Sequence, residues 1–466
     1  MQYDFANYLS PLSWRYGSSA MRSVFGEEYK YRLWRKIWAT LAKVQYEVGL
    51  VSKKELEDII LHEKDLAIVR ILEIEKETKH DVMAAIKEYA EKAKIGGGKI
   101  HLGATSMDIV DNADALRVIK ATSIIEEYIK QLLKEFGKQI EKYANLPCIG
   151  YTHLQPAEPT TVGYRLAFYA QDLLTDLSLV QFVKSTFRAK GMKGAVGTSA
   201  SYTALLTGTK LSAQGLDTKV MKELGLTEDL ITTQVYSRKY DFFIMTMLAS
   251  IASTCAKFAG DLRILQSPSI GECSEPFGKK QVGSSAMPFK KNPVNSEKIC
   301  SLARYVLQLP PVALENASLS YLERTLDDSA NKRIIFSEGF LAVDEILMSM
   351  EKIVSGLVIN TDRISYNLNQ YGPFAATEAI LMEAVKQGGN RQEMHELLRE
   401  LSMKSWQEIQ KGKPNPLPKL LSQNLTLRKY ISPDKLSKLL VVTQPVGDAP
   451  ERAMKLVKEI NKSINR

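Results

Sequence analysis

The densest collection of reactive side chains in this chain is Gly283-Ser284-Ser285-Ala286-Met287-Pro288-Phe289-Lys290-Lys291-Asn292-Pro293. Behind a glycine hinge it joins two hydroxyls, two ammonium groups and a carboxamide, between two apolar helical segments. The packing of a helical bundle has no need of that composition. Upstream, Gly278-Lys279-Lys280-Gln281-Val282 is also loose, so residues 278–293 read as a flap able to close over a ligand. Ser284 could serve there as a base, Lys290 as a fixed cation and Asn292 as a hydrogen-bond donor, all acting on a carboxylate undergoing chemistry. On composition alone, a solvated basic connector is the competing reading.

Histidine is scarce, with five in the chain. His62 and His395 lie inside amphipathic helical patterns beside acidic residues and read as ordinary helix-face side chains. His80, His101 and His153 fall in or beside breaks between helical segments, which is where a bundle places a site. These breaks read Thr78-Lys79-His80-Asp81-Val82-Met83-Ala84, then His101-Leu102-Gly103-Ala104-Thr105-Ser106-Met107-Asp108, then Gly150-Tyr151-Thr152-His153-Leu154-Gln155-Pro156. An imidazole near its ordinary pKa of about 6.5 can move a proton at neutral pH.

The elements that must hold these breaks are helices. Trp34, Ile37, Trp38, Leu41, Val44 and Val48 recur at helical spacing, and further helical patterns cover about 53–61 and 66–94. After the His101 break, where Asp108 or Ser106 can cap the next element, Leu116, Ile119, Ile125, Ile129, Leu132, Phe136 and Ile140 mark one face of a long helix. Helical patterns follow at about 160–188, 210–224, 233–269, 293–320 and 331–358. Shorter ones come at 361–370, 374–387 and 391–411, then a proline-dotted tail. No strand alternation persists beyond a few residues. The expected fold is all-α in three parts: an N-terminal helical domain 1–106, a central long-helix bundle 107–360, and a C-terminal helical domain 361–466. Helices of roughly 30–40 residues exceed the usual length and imply packing against other subunits.

Bulk properties narrow the partners. The 466 residues carry a net charge of +9, which suits an acidic partner. Lysine and arginine are scattered apart from the flap, which favours a small polyanion over a nucleic-acid track. Cys148, Cys255, Cys273 and Cys300 lie far apart with no CxxC, giving no metal site and no disulfide framework. The start, Met1-Gln2-Tyr3-Asp4, lacks a signal pattern, so a cytoplasmic enzyme is expected. Phe242–Ala256 is free of charge but shorter than the roughly 20 residues a membrane span needs. No membrane partner is expected.

The flap sequence resembles the signature loop of the fumarase/aspartase superfamily, whose members reversibly eliminate fumarate from a substituted succinate. Arg15-Tyr16, the three histidine breaks, Thr233-Gln234-Val235-Tyr236-Ser237-Arg238-Lys239 and Leu322-Glu323-Arg324-Thr325-Leu326-Asp327-Asp328-Ser329-Ala330-Asn331-Lys332-Arg333 resemble the adenylosuccinate lyase family within it. The resemblance runs from about residue 10 to about 400. It implies Ser284 as general base and His153 as general acid. It implies substrate contacts from Arg15, Tyr16, Lys79, His80, Asp81, Thr105, Ser106, Thr152, Gln234, Lys290, Asn292, Lys298, Arg324, Ser329 and Arg333. It further implies a homotetramer whose sites are shared between subunits, a succinylated purine nucleotide as substrate, and no cofactor. Lys79 and Lys298 stand where the family usually has arginine, which keeps the charge and loses the bidentate fork. Taken singly, any one of these arginines could instead be an inter-helix salt bridge. Rival readings are another fumarate-releasing lyase, a basic helical nucleic-acid binder, and an inactive structural bundle.

Overall fold

A computed structural model describes residues 6–441 and 446–465; the start Met1-Gln2-Tyr3-Asp4 and Pro445 of the tail lie outside the described residues. The fold is all-α, with long helices at Ser106–Tyr143, Val162–Thr186, Lys239–Leu265, Asp327–Ser355 and Thr361–Lys386. Ile125, Ile129, Leu132, Phe136 and Ile140 on the first of these are all fully buried, so the helical stripe is a packing face. The helix Lys239–Leu265 is long and apolar enough, by length and composition, to cross a bilayer. In the protein its Ile244, Met245, Met247, Leu248 and Ile251 are fully buried against other side chains.

The chain forms two compact units, each assembled from separated segments. The first comprises residues 1–129, 176–253 and 301–348. Its core includes the edge-on aromatic series Tyr31, Trp34 and Trp38. Beside them lies a buried Arg35–Glu88 ion pair whose guanidinium sits 3.8 Å above the Tyr89 ring. The second unit comprises residues 130–175, 254–300 and 349–466, with a core around Ile380, Leu381, Met394, Leu398, Leu417 and Leu421.

Three local outcomes differ from the periodicity. The pattern over 66–94 is broken into helices Ile68–Thr78 and Asp81–Lys92, because Lys79 adopts a left-handed conformation (φ 54°) and His80 caps the second helix. Pro373 does not divide the 361–387 region, which is one helix, Thr361–Lys386. The His153 break is a two-stranded antiparallel hairpin, with β1 at Pro147–Thr152 and β2 at Gln155–Thr161. Two prolines fit in β2 because both strands of a two-stranded ribbon are edges.

Candidate active site

In the first unit the helix starts converge on a cavity of about 630 Å³. Lys79, His80 and Asp81 enter it from the break between the 68–78 and 81–92 helices, and Thr105 and Ser106 from the start of the 106–143 helix. Gln234 comes from an extended segment whose backbone N–H donates to Glu323 O at 3.2 Å. Arg324, Ser329 and Arg333 come from the turn entering, and the first turns of, the 327–355 helix; Ser329, Lys332, Arg333 and Phe336 share its cavity-facing stripe. These motifs lie far apart in sequence, and the fold gathers them into one wall.

Their local geometry follows from helix ends. His80 Nδ1 accepts from the Met83 N–H at 3.4 Å, so a neutral ring carries its proton on Nε2. Asp81 accepts from the Val82 N–H at 2.8 Å and lies 3.3 Å from an Arg333 nitrogen. Thr105 N–H donates to Asp108 Oδ2 at 3.0 Å, the reach-back of a third-position carboxylate at a helix start. Asp108 is fully buried and also pairs with Lys190, so the Thr105-Ser106 corner is anchored from beneath. His101 accepts from Trp38 Nε1–H at 3.0 Å, and burial, with a smaller contribution from His80, brings its pKa down to about 4 despite Asp108. It is a neutral, structural histidine at pH 7.

Arg15 and Tyr16 also belong to the first unit but do not line this cavity. Their segment is held by Arg22, which donates to the Tyr16 and Gly17 carbonyls at 3.0 and 2.6 Å. The Gly17 and Ser18 N–H groups donate to Glu345 and Asp344.

The second unit carries the flap and the hairpin. Ser284 Oγ accepts from the Ala286 and Met287 N–H groups at 3.3 and 3.1 Å. Asn292 Nδ2 donates to the Gly283 carbonyl at 2.7 Å, so part of the carboxamide braces the loop itself. A side chain at Gly283 would lie 2.0 Å from Lys290 O, which is why this position must be glycine. Lys290 is exposed. Lys298 is half-buried on the helix Val294–Val306. Glu275 accepts from Asn295 N–H, Asn295 Nδ2 and Ser296 N–H at 3.2, 2.8 and 2.8 Å, which caps that helix and pins the loop's exit. Thr152 and His153 are exposed at the hairpin tip, and His153 and Leu154 have φ of 54° and 60°. Positive φ at both central residues is the type I′ turn, usually made by Asn-Gly. Behind the hairpin, the buried Glu272 carboxylate accepts from Tyr151 OH, Arg165 Nη1 and Asn367 Nδ2 at 3.2, 3.0 and 3.0 Å.

Residues 16–307 match the Lyase family, and residues 373–455 match the adenylosuccinate lyase C-terminus. The chain is 37% identical over 470 residues to adenylosuccinate lyase of Saccharomyces cerevisiae, covering 99% of this chain and 96% of the relative. It is 36% identical over 431 residues to the adenylosuccinate lyase of Pyrococcus abyssi, covering 92% and 93%. The chain belongs to the adenylosuccinate lyase family. Its fold is also that of the fumarate lyase from Mesorhizobium sp. BNC1 (TM-score 0.83, 22% identity, covering 95% and 98% of the two chains). The 3-carboxy-cis,cis-muconate lactonizing enzyme from Pseudomonas putida shares it as well (TM-score 0.84, 21% identity, covering 96% and 98%).

Sequence reasoning missed the carboxylates and cations that hold the site residues of this adenylosuccinate lyase family member. Asp111 and Asp114 follow Asp108, read from the sequence only as a cap, at every third residue on the 106–143 helix, and that spacing could have marked them. Arg238 lies in the same Thr233–Lys239 stretch as Gln234. Glu272 and Glu275 carry no sequence signal, since Glu275 acts across a long loop and the partners of Glu272, Tyr151, Arg165 and Asn367, are each 95 or more residues away.

Proposed function

We propose that this chain catalyses β-elimination of fumarate from adenylosuccinate, leaving AMP, and the same cleavage of the succinylated aminoimidazole carboxamide ribotide in purine nucleotide biosynthesis. The observation that carries this reading is the first-unit cavity, whose cations, amide and hydroxyls suit an anionic nucleotide, in a member of the adenylosuccinate lyase family. The substrate bears one phosphate and two carboxylates. Lys79, Arg324 and Arg333, joined by Arg15 and Lys298, offset that charge. Gln234, Ser329, Thr105, Ser106, Thr152, Tyr16 and Asp81 hydrogen-bond it, and His80 orients its phosphate or supports His153.

The chemical step removes a proton from carbon beside a carboxylate, a very weak acid. Its anion needs fixed positive charge and donors, a role for Lys290, the remaining donor of Asn292 and the flap's backbone N–H groups. Ser284 is the base. Two N–H groups already aimed at its Oγ favour the alkoxide over the alcohol, which is what a serine base requires. His153 then hands a proton to the departing purine nitrogen as the carbon–nitrogen bond breaks. Proton transfer completes the reaction, so no cofactor enters the scheme. The enzyme works as a cytoplasmic homotetramer in which copies of the chain complete each other's sites, with neither nucleic acid nor membrane as partner. Its sequence divides into three domains, 1–106, 107–360 and 361–466.

The test is spectrophotometric. Purified protein changes the purine absorbance of adenylosuccinate and leaves argininosuccinate and aspartate untouched, and Ser284→Ala abolishes the change. Activity on either of the other substrates, with none on adenylosuccinate, reassigns the chain within the superfamily.

A further inference from the structure

An alternating series of charges runs through the wall of the first-unit cavity. Arg238 Nη1 and Nη2 donate to Asp111 Oδ2 and Oδ1 at 3.2 and 3.1 Å, and its Nε donates to Asp328 Oδ2 at 2.6 Å. The other Asp328 oxygen accepts from Arg324 Nη1 at 2.8 Å. Asp111, Asp328 and Arg238 are 0%, 2% and 5% exposed, so all three are sealed in. Arg324 stands at the end of the series, and its Nε is buried with no hydrogen-bond partner among the described residues.

A carboxylate facing Arg324 alone would cancel its charge and compete with any anion that approached. Asp328 instead divides its attraction between two guanidiniums. Burial raises the Asp328 carboxyl, but Arg238 and Arg324 more than offset that and hold it below the usual carboxylate range. It therefore remains a charged anchor at neutral pH. The two-point contact with Arg238 and Arg324 fixes where the Arg324 fork can point.

We infer that Asp328 is a positioning residue, aiming Arg324 at an anionic group of the substrate, while Arg238 prevents Asp328 from neutralising that arginine. The inference rests on reading the cavity as the nucleotide site. Asp328 has no contact with substrate in this scheme and acts only through Arg324.

The experiment is a double-mutant cycle on the full-length enzyme with adenylosuccinate. Asp328→Asn keeps the side-chain shape and removes the charge; KM rises about 10–100-fold while kcat changes by less than about threefold. In an Arg324→Met background the same substitution changes KM by less than about twofold, because the residue it positioned has gone. Should Asp328→Asn fail to fold, Arg238→Lys carries the same cycle with a smaller rise in KM, again absent from the Arg324→Met background. Equal effects in both backgrounds, or a loss confined to kcat, overturn the positioning role. A wild-type enzyme without activity on adenylosuccinate overturns the underlying reading of the cavity instead.

Discussion

Gly283→Ala tests whether the flap's internal geometry, rather than its composition, matters. The added Cβ would lie 2.0 Å from the Lys290 carbonyl oxygen, 3.1 Å from its carbon and 3.2 Å from the Phe277 ring. The nearest obstacle is backbone, so no rotamer change relieves it. Restoring ordinary contact requires the Gly283 and Lys290 strands of the loop to part by about 1 Å or more, which also stretches the 2.7 Å Asn292–Gly283 hydrogen bond. That bond contributes about 1 kcal/mol to loop closure. A displacement of this size beside a reacting centre lowers turnover about 100-fold. The clash is confined to the loop, so global stability falls by about 1 kcal/mol, the contribution of that hydrogen bond. Gly278→Ala is the control, since its Cβ would meet only the Gln281 side chain at 3.7 and 3.8 Å. Steady-state kinetics on adenylosuccinate and a thermal melt of each variant decide the matter. If Gly283→Ala keeps kcat within a few fold of wild type, or if Gly278→Ala is equally damaging, the steric argument is wrong.

Three further outcomes are expected. Leu154→Gly raises the melting temperature, equivalent to about 0.5–1 kcal/mol, because Leu154 is 67% exposed at positive φ and carries strain without burial; a fall in a thermal melt would show that its contacts outweigh the strain. His101 has its folded pKa lowered to about 4 against about 6.5 unfolded, so at neutral pH it is uncharged in both states. As pH falls below about 6.5 the unfolded chain takes up the proton first, and about 2 kcal/mol is lost by about pH 5. His101→Asn, which tolerates the positive φ, removes that part of the acid loss, as urea unfolding at the two pH values would reveal. Ser284→Ala and His153→Ala each lose about 100-fold or more in turnover. Mixed after subunit exchange they regain activity, assayed on adenylosuccinate; exchanged hybrids that stay inactive would contradict sharing of these two residues between copies.

Much of the scaffold was legible because burial is periodic. Ile125, Ile129, Leu132, Phe136 and Ile140 sit at helical spacing in the sequence, and all are buried in the fold. Where the pattern misled, a local conformation or a distant partner intervened. The apolar period over 66–94 runs on past Lys79, and only the Thr78–Ala84 stretch, with its histidine, points to the break that the left-handed Lys79 makes there. The hairpin after residue 147 was hidden because Gln-Pro-Ala-Glu-Pro has no alternation for a strand with only one neighbour. Pro373 misled in the opposite direction, since a helix as long as Thr361–Lys386 retains its other backbone bonds.

The carboxylates beneath the site were illegible for a more general reason. A charged residue on an amphipathic helix reads as solvent-facing, and only the partner's position reveals otherwise. Asp111 and Asp328 lie 217 residues apart and meet through Arg238, which occupies neither helix. A motif exposes the groups offered to the ligand, because they cluster where helices begin. Their charged partners are buried in the same cavity wall, and which of them pair, as Arg238 does with Asp111 and Asp328, follows only from where distant segments meet. Breaks in helical pattern therefore disclose many of the side chains that line the cavity of this bundle, whereas their pairing emerges only once the helices are assembled.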